Sequence, residues 1–226
     1  MELLLDTANI ALIAKYNANY NITGVTSNPT IIARERAAFF PTLCRIREII
    51  GDKQLHVQVT APDHDGMMRE AVTITSVLGK DTYIKVPTTQ VGVGVMKSLK
   101  EKGYRVTATA IYSLQQAALA ASVNADYAAP YVNRICNAYG NADAVVSDMA
   151  ELFAVQGVQT KILGASFKNT DQIIRCLLSG AQAVTASPEL YTTMVESPLI
   201  DAAVKQFECD WVGLYGECTI DQLPLK

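Results

Sequence analysis

Histidine is scarce in this chain. There are two in 226 residues, His56 and His64, and they share no metal-ligand spacing, so no metal centre is expected. Nor does charge of one sign accumulate. Nineteen Lys and Arg stand against 22 Asp and Glu, a net charge of −3. That balance gives no basic footprint for nucleic acid or an anionic membrane surface. No stretch approaches roughly 20 uninterrupted apolar residues, so no membrane span is expected. The five cysteines are an odd number, scattered and without a Cys-x-x-Cys pair. This excludes a disulfide framework and suggests reduced thiols in a cytoplasmic setting. The opening "MELLLDTANIALIAKY" is broken at Asp6 and has no basic n-region, so no signal peptide is expected. The Gly-x-Gly at Gly92-Val93-Gly94 lacks a third glycine and falls inside a helix start after a proline, which argues against a dinucleotide loop.

What is present is a repeated alternation. Short apolar or β-branched runs recur at Glu2–Leu5, Gly24–Thr26, His56–Thr60, Tyr83–Val86, Arg105–Ile111, Asp126–Val132, Lys161–Ala165 and Ala183–Ala186. Between them lie segments with helical spacing, among them "PTIIARERAAFFPTLCRIREII", "DGMMREAVTITSVL", "ADAVVSDMAELFAV" and "TDQIIRCLLSG". Lys102-Gly103 and Ser179-Gly180 read as helix ends. Eight strand–helix units without a linker predict one α/β domain over residues 1–226, a closed (β/α)8 TIM barrel with an extra C-terminal helix. A doubly wound sheet is the alternative, but it predicts a glycine-rich loop after the first strand, where this chain reads "DTAN".

In such a barrel the C-terminal ends of the strands carry the chemistry. Here they offer Asp6, Asn28, Gln58, Lys85, Thr109, Tyr131 and Ser166. Lys85 sits inside the strand "YIKVP". Either it lies on an edge strand with its head in water, or it points into the barrel. In the second case desolvation lowers its pKa and frees a neutral amine to attack a ketone. Parallel strands have no water-facing side, which weakens the first reading. Asp6 is either the cap of the next helix or a carboxylate that holds a substrate hydroxyl or moves a proton. Asn28, before Pro29, is a turn residue or a ligand to substrate. Tyr131 is core filler or an acid–base group acting through water. Arg134 and Lys168 are solvated charges singly; together with Ser166 and the helix start Asn169-Thr170-Asp171 they suggest a phosphate site.

The motifs "LDTANI", "GVTSNPTII", "YIKVPTT", "TATAIYSLQQAALAA", "ADYAAPYVNRI", "ILGASFKN" and "FECDW" follow one another along nearly the whole chain. In these the chain resembles the transaldolase / fructose-6-phosphate aldolase family. The resemblance implies a class I, Schiff-base barrel enzyme acting on sugar phosphates with dihydroxyacetone as the donor unit, and no metal or organic cofactor. It implies Lys85 as the Schiff-base lysine and Asp6 and Asn28, with Thr26, as the group that handles substrate hydroxyls. Thr109 and Tyr131 fall at positions that hold or act through the catalytic water. Arg134, Ser166 and Lys168 fall at phosphate-binding positions, the last one often arginine in relatives. Gln58 with Tyr131 resembles the aldolase branch, since transaldolases tend to carry glutamate and phenylalanine there. The implied activity is reversible cleavage of fructose 6-phosphate, with dihydroxyacetone transfer between sugar phosphates as the alternative. "NRICNAYGNADAVV", "TASPEL" and Thr107 depart from the family pattern.

Phe207, Trp211 and Tyr215 fall at i, i+4 and i+8 and form one face of a helix expected at about 201–215. That face either packs on its own barrel or, as the resemblance implies, reaches another subunit in a homo-oligomer, a pentamer or decamer.

Overall fold

A computed structural model describes residues 1–224; the last two positions of the domain expected over 1–226 lie outside the described residues. The strands are β1 (Glu2–Asp6), β2 (Gly24–Thr26), β3 (Gln54–Gln58), β4 (Tyr83–Pro87), β5 (Arg105–Ile111), β6 (Tyr127–Pro130), β7 (Lys161–Gly164) and β8 (Ala183–Ala186). Their helices are α1 (Ile10–Asn19), α2 (Pro29–Glu35), α3 (Phe39–Ile50), α4 (His64–Leu78), α5 (Gln90–Glu101), α6 (Leu114–Ser122), α7 (Val132–Tyr139), α8 (Ala142–Gln156), α9 (Thr170–Leu178), α10 (Pro188–Thr193) and α11 (Pro198–Tyr215). All eight strands are parallel, each pairs with its neighbour in sequence, and β1 closes on β8. This is the expected (β/α)8 barrel with a C-terminal helix.

Strand alternation divides the core in two. Outward residues such as Leu5, Val57, Ile84, Val86, Val106 and Val184 meet the helices in the main apolar cluster. Inward residues Leu4, Tyr127, Ala129, Leu163 and Ala183 form a second, smaller cluster inside the barrel. Below the site the interior is polar but paired. Glu2 accepts from Lys161 Nζ at 2.6 Å, from Gln54 Nε2 at 3.2 Å and from the Tyr127 hydroxyl. Gln54 Oε1 then faces His56 Nε2 at 3.0 Å, and His56 Nδ1 faces Thr107 Oγ1 at 2.8 Å. The amide of Gln54 is oriented by the Glu2 carboxylate, so its oxygen takes the Nε2–H and leaves Nδ1 to accept from Thr107. His56 is fully buried and stacks on Tyr83 with ring centroids 4.4 Å apart.

Several boundaries differ from the expected ones. The long segment from Pro29 to Ile50 is two helices, interrupted at Arg36, which is left-handed at φ 51°. Pro41 explains the break: it lacks an N–H and would clash with the preceding turn, so it is accepted only in the first turn of a new helix. Strand β3 starts two residues earlier than expected, at Gln54, a polar residue that points to the paired interior network. Strand β6 ends at Pro130, leaving Tyr131 as the cap of α7 with a single bridge to Ala165. The irregular stretch after Arg134 is α7 and α8, separated at Gly140, whose φ of 82° suits glycine.

By contacts the chain falls into two units, Met1–Tyr191, which is the barrel, and a C-terminal unit beginning at Thr192. Within the second unit, α11 has no buried residue, Phe207 is 68% exposed, and Trp211 and Tyr215 pack ring to ring at 4.5 Å. No helix among the described residues is long and apolar enough to cross a membrane.

Candidate active site

A cavity of about 660 Å³ opens at the C-terminal mouth of the barrel. Of the ten residues singled out in the sequence, Asp6, Asn28, Gln58, Lys85, Tyr131, Arg134, Ser166 and Lys168 line it. Thr26 and Thr109 stand one step behind, each hydrogen-bonded to a lining residue.

Lys85 enters from β4, in register with Gln58 on β3 and Thr107 on β5. It is 5% exposed, and its amine donates to the Ser27 carbonyl at 2.9 Å. Burial pushes its pKa down, while Asp6 pulls it partly back. Asp6 shows the converse. Burial raises its pKa, and Lys85 and the Thr26 hydroxyl work against the rise. Thr26 Oγ1 donates to Asp6 Oδ1 at 2.7 Å and lies 2.7 Å from Thr185 Oγ1. The closed barrel has no edge strand, so Lys85 is an interior amine. The cap of α1 is Asn9, which accepts from Leu12 N at 3.0 Å. Asp6 is therefore left to the cavity.

Asn28 takes the turn role and stands at the cavity wall. Its Oδ1 accepts from Ile31 N at 3.0 Å and caps α2, which leaves the amide NH2 available at the cavity wall. Tyr131 lies 3.1 Å from Thr109 Oγ1 through its hydroxyl. Burial raises its pKa, so it is a phenol and a proton donor at neutral pH. A bulge in β5 between Ala108 and Ile111, with Ala110 at φ 57°, marks the stretch that carries Thr109. The buried carbonyl oxygen of Gln58 has no hydrogen-bond partner. Gln58 lines the cavity with other atoms of its side chain, while this oxygen is shut off from it.

On the β6–β7 side, Arg134 donates to the Tyr112 hydroxyl at 3.1 Å and stacks over the Tyr131 ring at 4.9 Å. Ser166 is left-handed at φ 63°, a conformation that is strained for a non-glycine residue. Of the amides near the start of α9, that of Lys168 bonds Gln172 Oε1 and that of Gln172 bonds Asn169 Oδ1. Sequence reasoning missed Arg34, a third cation in the lining, and Thr185, which braces Thr26. Arg34 sits six residues past Asn28 on α2 and carried no strand-end signal. Thr185 did carry one, as the polar residue two before Ser187 on an otherwise small apolar strand. Among the described residues no group of three His, Cys, Asp or Glu side chains could hold a metal ion.

A buried amine, a carboxylate with a raised pKa and a hydroxyl pair at the mouth of a (β/α)8 barrel define a site suited to carbonyl chemistry through a lysine. The model of the transaldolase/fructose-6-phosphate aldolase family matches residues 3–218, and the chain belongs to that family. A relative described as a probable fructose-6-phosphate aldolase from Streptococcus pneumoniae is 42% identical over 213 residues, 93% of this chain and 96% of the relative. A solved structure of thiamine phosphate pyrophosphorylase from Pyrococcus furiosus aligns with a TM-score of 0.58 at 14% identity, covering 82% of this chain and 85% of that one. At that identity the likeness concerns the fold alone.

Proposed function

We propose that this protein is a class I aldolase that reversibly cleaves fructose 6-phosphate to dihydroxyacetone and glyceraldehyde 3-phosphate. The observation that carries the reading is Lys85, an interior amine whose pKa burial lowers, opening on a cavity that also holds Asp6 and Tyr131. Family membership and the name of the 42% identical relative support it.

The neutral Lys85 amine adds to the C2 carbonyl of the open-chain ketose. Loss of water then gives an iminium. Asp6, whose raised pKa makes it a better base than a surface carboxylate, takes the proton of the C4 hydroxyl. The C3–C4 bond breaks, its electron pair flows into the iminium, and glyceraldehyde 3-phosphate leaves. The resulting enamine is protonated at C3 by Tyr131, directly or through a water shared with Thr109. A second water hydrolyses the new iminium, releasing dihydroxyacetone and restoring the amine. Asn28 donates to a donor-side hydroxyl, and Gln58 walls the cavity beside Lys85. Arg134, Ser166 and Lys168 hold the phosphate; the lysine serves as a point charge, not a planar fork.

The test is release of glyceraldehyde 3-phosphate from fructose 6-phosphate, with and without erythrose 4-phosphate. Turnover without the second sugar is expected. Turnover that requires it would assign the chain to the transaldolase reaction and overturn the proposed role of Tyr131.

Two further readings accompany this one. The five free cysteines support a reducing, cytoplasmic setting. The exposed apolar residues of α11, Leu199, Val204, Phe207 and Leu214 among them, support a homo-oligomer built through that helix, a pentamer or a decamer. Light scattering on the eluted protein tests it, and a monomer would contradict it.

A further inference from the structure

A second cavity, of about 470 Å³, lies between the start of α3, the loop after β3 and one face of α4. That volume is in the range of small-molecule sites. Helix α4 contributes Gly66, Arg69, Glu70, Thr73 and Ile74, spaced i, i+3, i+4, i+7 and i+8 along one stripe. Phe39 and Phe40 supply an aromatic wall, their rings edge to face at 5.0 Å, and Ala61 and Ile74 add aliphatic surface.

Arg69 and Glu70 are the charged residues of this lining, and they differ in what they have left to offer. Glu70 is committed to the protein itself. It accepts from Thr60 N at 2.6 Å, Thr60 Oγ1 at 2.7 Å and Ala61 N at 3.0 Å. Burial works to raise its pKa, but these bonds outweigh it and keep the carboxylate anionic. Arg69 is exposed, and its guanidinium has no hydrogen bond or ion pair among the described residues. The cavity thus joins an apolar, partly aromatic interior to one uncommitted cation. Its complement is a ligand with an apolar body and a single anionic head. A carboxylate matches the two-pronged guanidinium, and a ring gains edge-to-face contact with the Phe39–Phe40 pair. A cationic head would meet the same Arg69 and a carboxylate that already accepts three bonds.

We propose that this cavity is a binding site for arylalkyl monocarboxylates, separate from the Lys85 site. The carboxylate pairs with Arg69 at the rim, and the ring lies against Phe39, Phe40 and Ile74. Gln58 lines both cavities, but none of the cations of the larger one, Arg34, Lys85, Arg134 and Lys168, lines this one. The site therefore goes beyond the aldolase reading and stands without it.

Isothermal titration calorimetry of the full chain with 3-phenylpropanoate should show saturable binding with Kd below about 1 mM. The uncharged 3-phenylpropanamide and the cationic 3-phenylpropan-1-amine should bind at least about fivefold more weakly. The saturated analogue 3-cyclohexylpropanoate should lose about two- to tenfold for want of the ring contact. Arg69→Gln should weaken the carboxylate by about five- to tenfold and leave the amide unchanged. Thr73→Trp, at an exposed position in the lining, should abolish binding and melt within about 2 °C of the wild type. Lys85→Met and Arg134→Ala should bind as the wild type does. No saturable binding, whether the walls close on one another or a second copy of the chain covers them, would overturn the site. Equal affinity for carboxylate and amide, or an affinity unmoved by Arg69→Gln, would do the same. Tighter binding of the cyclohexyl compound would overturn the aromatic assignment. Loss of binding in Lys85→Met or Arg134→Ala would move the ligand to the larger cavity and overturn a separate site, with the aldolase reading untouched.

Discussion

Replacing Lys85 by methionine separates reactivity from stability. Methionine keeps an unbranched side chain of similar length and needs no desolvated charge. The lysine is 5% exposed, and its amine has one hydrogen bond, to the Ser27 carbonyl at 2.9 Å. Removing an ammonium from water costs several kcal/mol even after relaxation, and a bond from a charged donor returns only about 1.5–3 kcal/mol. In the variant the Ser27 carbonyl loses its donor, a cost of about 1–3 kcal/mol reduced by whatever water the open cavity supplies. Asp6 also loses its cationic neighbour, and its pKa, already raised by burial, climbs further, so its carboxyl takes up a proton and is not left as a buried charge. With that neutralisation the balance favours Lys85→Met by about 1–2 kcal/mol. At roughly 2–4 °C per kcal/mol for a chain of this size, Tm should rise by about 2–8 °C while aldol cleavage is lost. The pH dependence follows from the direction of the shift. Burial lowers the folded-state pKa below the ordinary 10.5, so in the window between the two the unfolded chain binds more protons. Wild-type stability therefore rises with pH through that window, and the advantage of the variant shrinks. Calorimetry of both proteins at neutral and alkaline pH measures this. A variant less stable at neutral pH, or a difference independent of pH, would refute the argument that the amine is held against its desolvation cost.

Tyr131→Phe removes the hydroxyl that faces Thr109 and should lower kcat for fructose 6-phosphate by about 10²–10⁴-fold with little change in KM, read by steady-state kinetics. Asp6→Asn takes away the charge that favours the ammonium form, so any residual activity should show its acidic limb in kcat/KM at lower pH than in the wild type. A limb moved to higher pH would contradict that coupling. Arg134→Ala should raise KM for fructose 6-phosphate roughly 10- to 150-fold and leave kinetics on unphosphorylated fructose nearly unchanged. Glu70 accepts from Thr60 N, Thr60 Oγ1 and Ala61 N, bonds that lower its pKa against the effect of burial, so Glu70→Gln should weaken the β3–α4 loop at neutral pH. The wild type should lose that contribution as pH falls through the lowered Glu70 pKa, so the two melting temperatures should converge in acid.

The barrel was legible because a parallel sheet leaves a simple trace: β-branched runs at regular intervals, each followed by a helix. Polar residues at the strand ends stood out against that background, and eight of the ten named residues line one cavity while two brace it. Residues whose placement depends on packing were harder to see. Gln54 looks like the end of a turn until Glu2 and His56 are known to lie on either side of it. The break at Arg36 was hidden because the residues around it are good helix formers, and only Pro41 marked it. Arg34 reaches the cavity from a helix, where no alternation of strand residues could point to it. The smaller cavity, lined by Phe39, Phe40, Gln58, Ala61 and Ile74 among others, joins residues from three separate segments, and no local pattern predicts that they share a wall.

The most direct test of the central claim is reductive trapping. The protein is incubated with dihydroxyacetone and borohydride, digested, and the modified peptide identified by mass. The account predicts a single adduct on Lys85, inactivation in proportion to labelling, and no adduct in Lys85→Met. A stoichiometric adduct on another lysine, or turnover that continues unlabelled in the presence of borohydride, would contradict it.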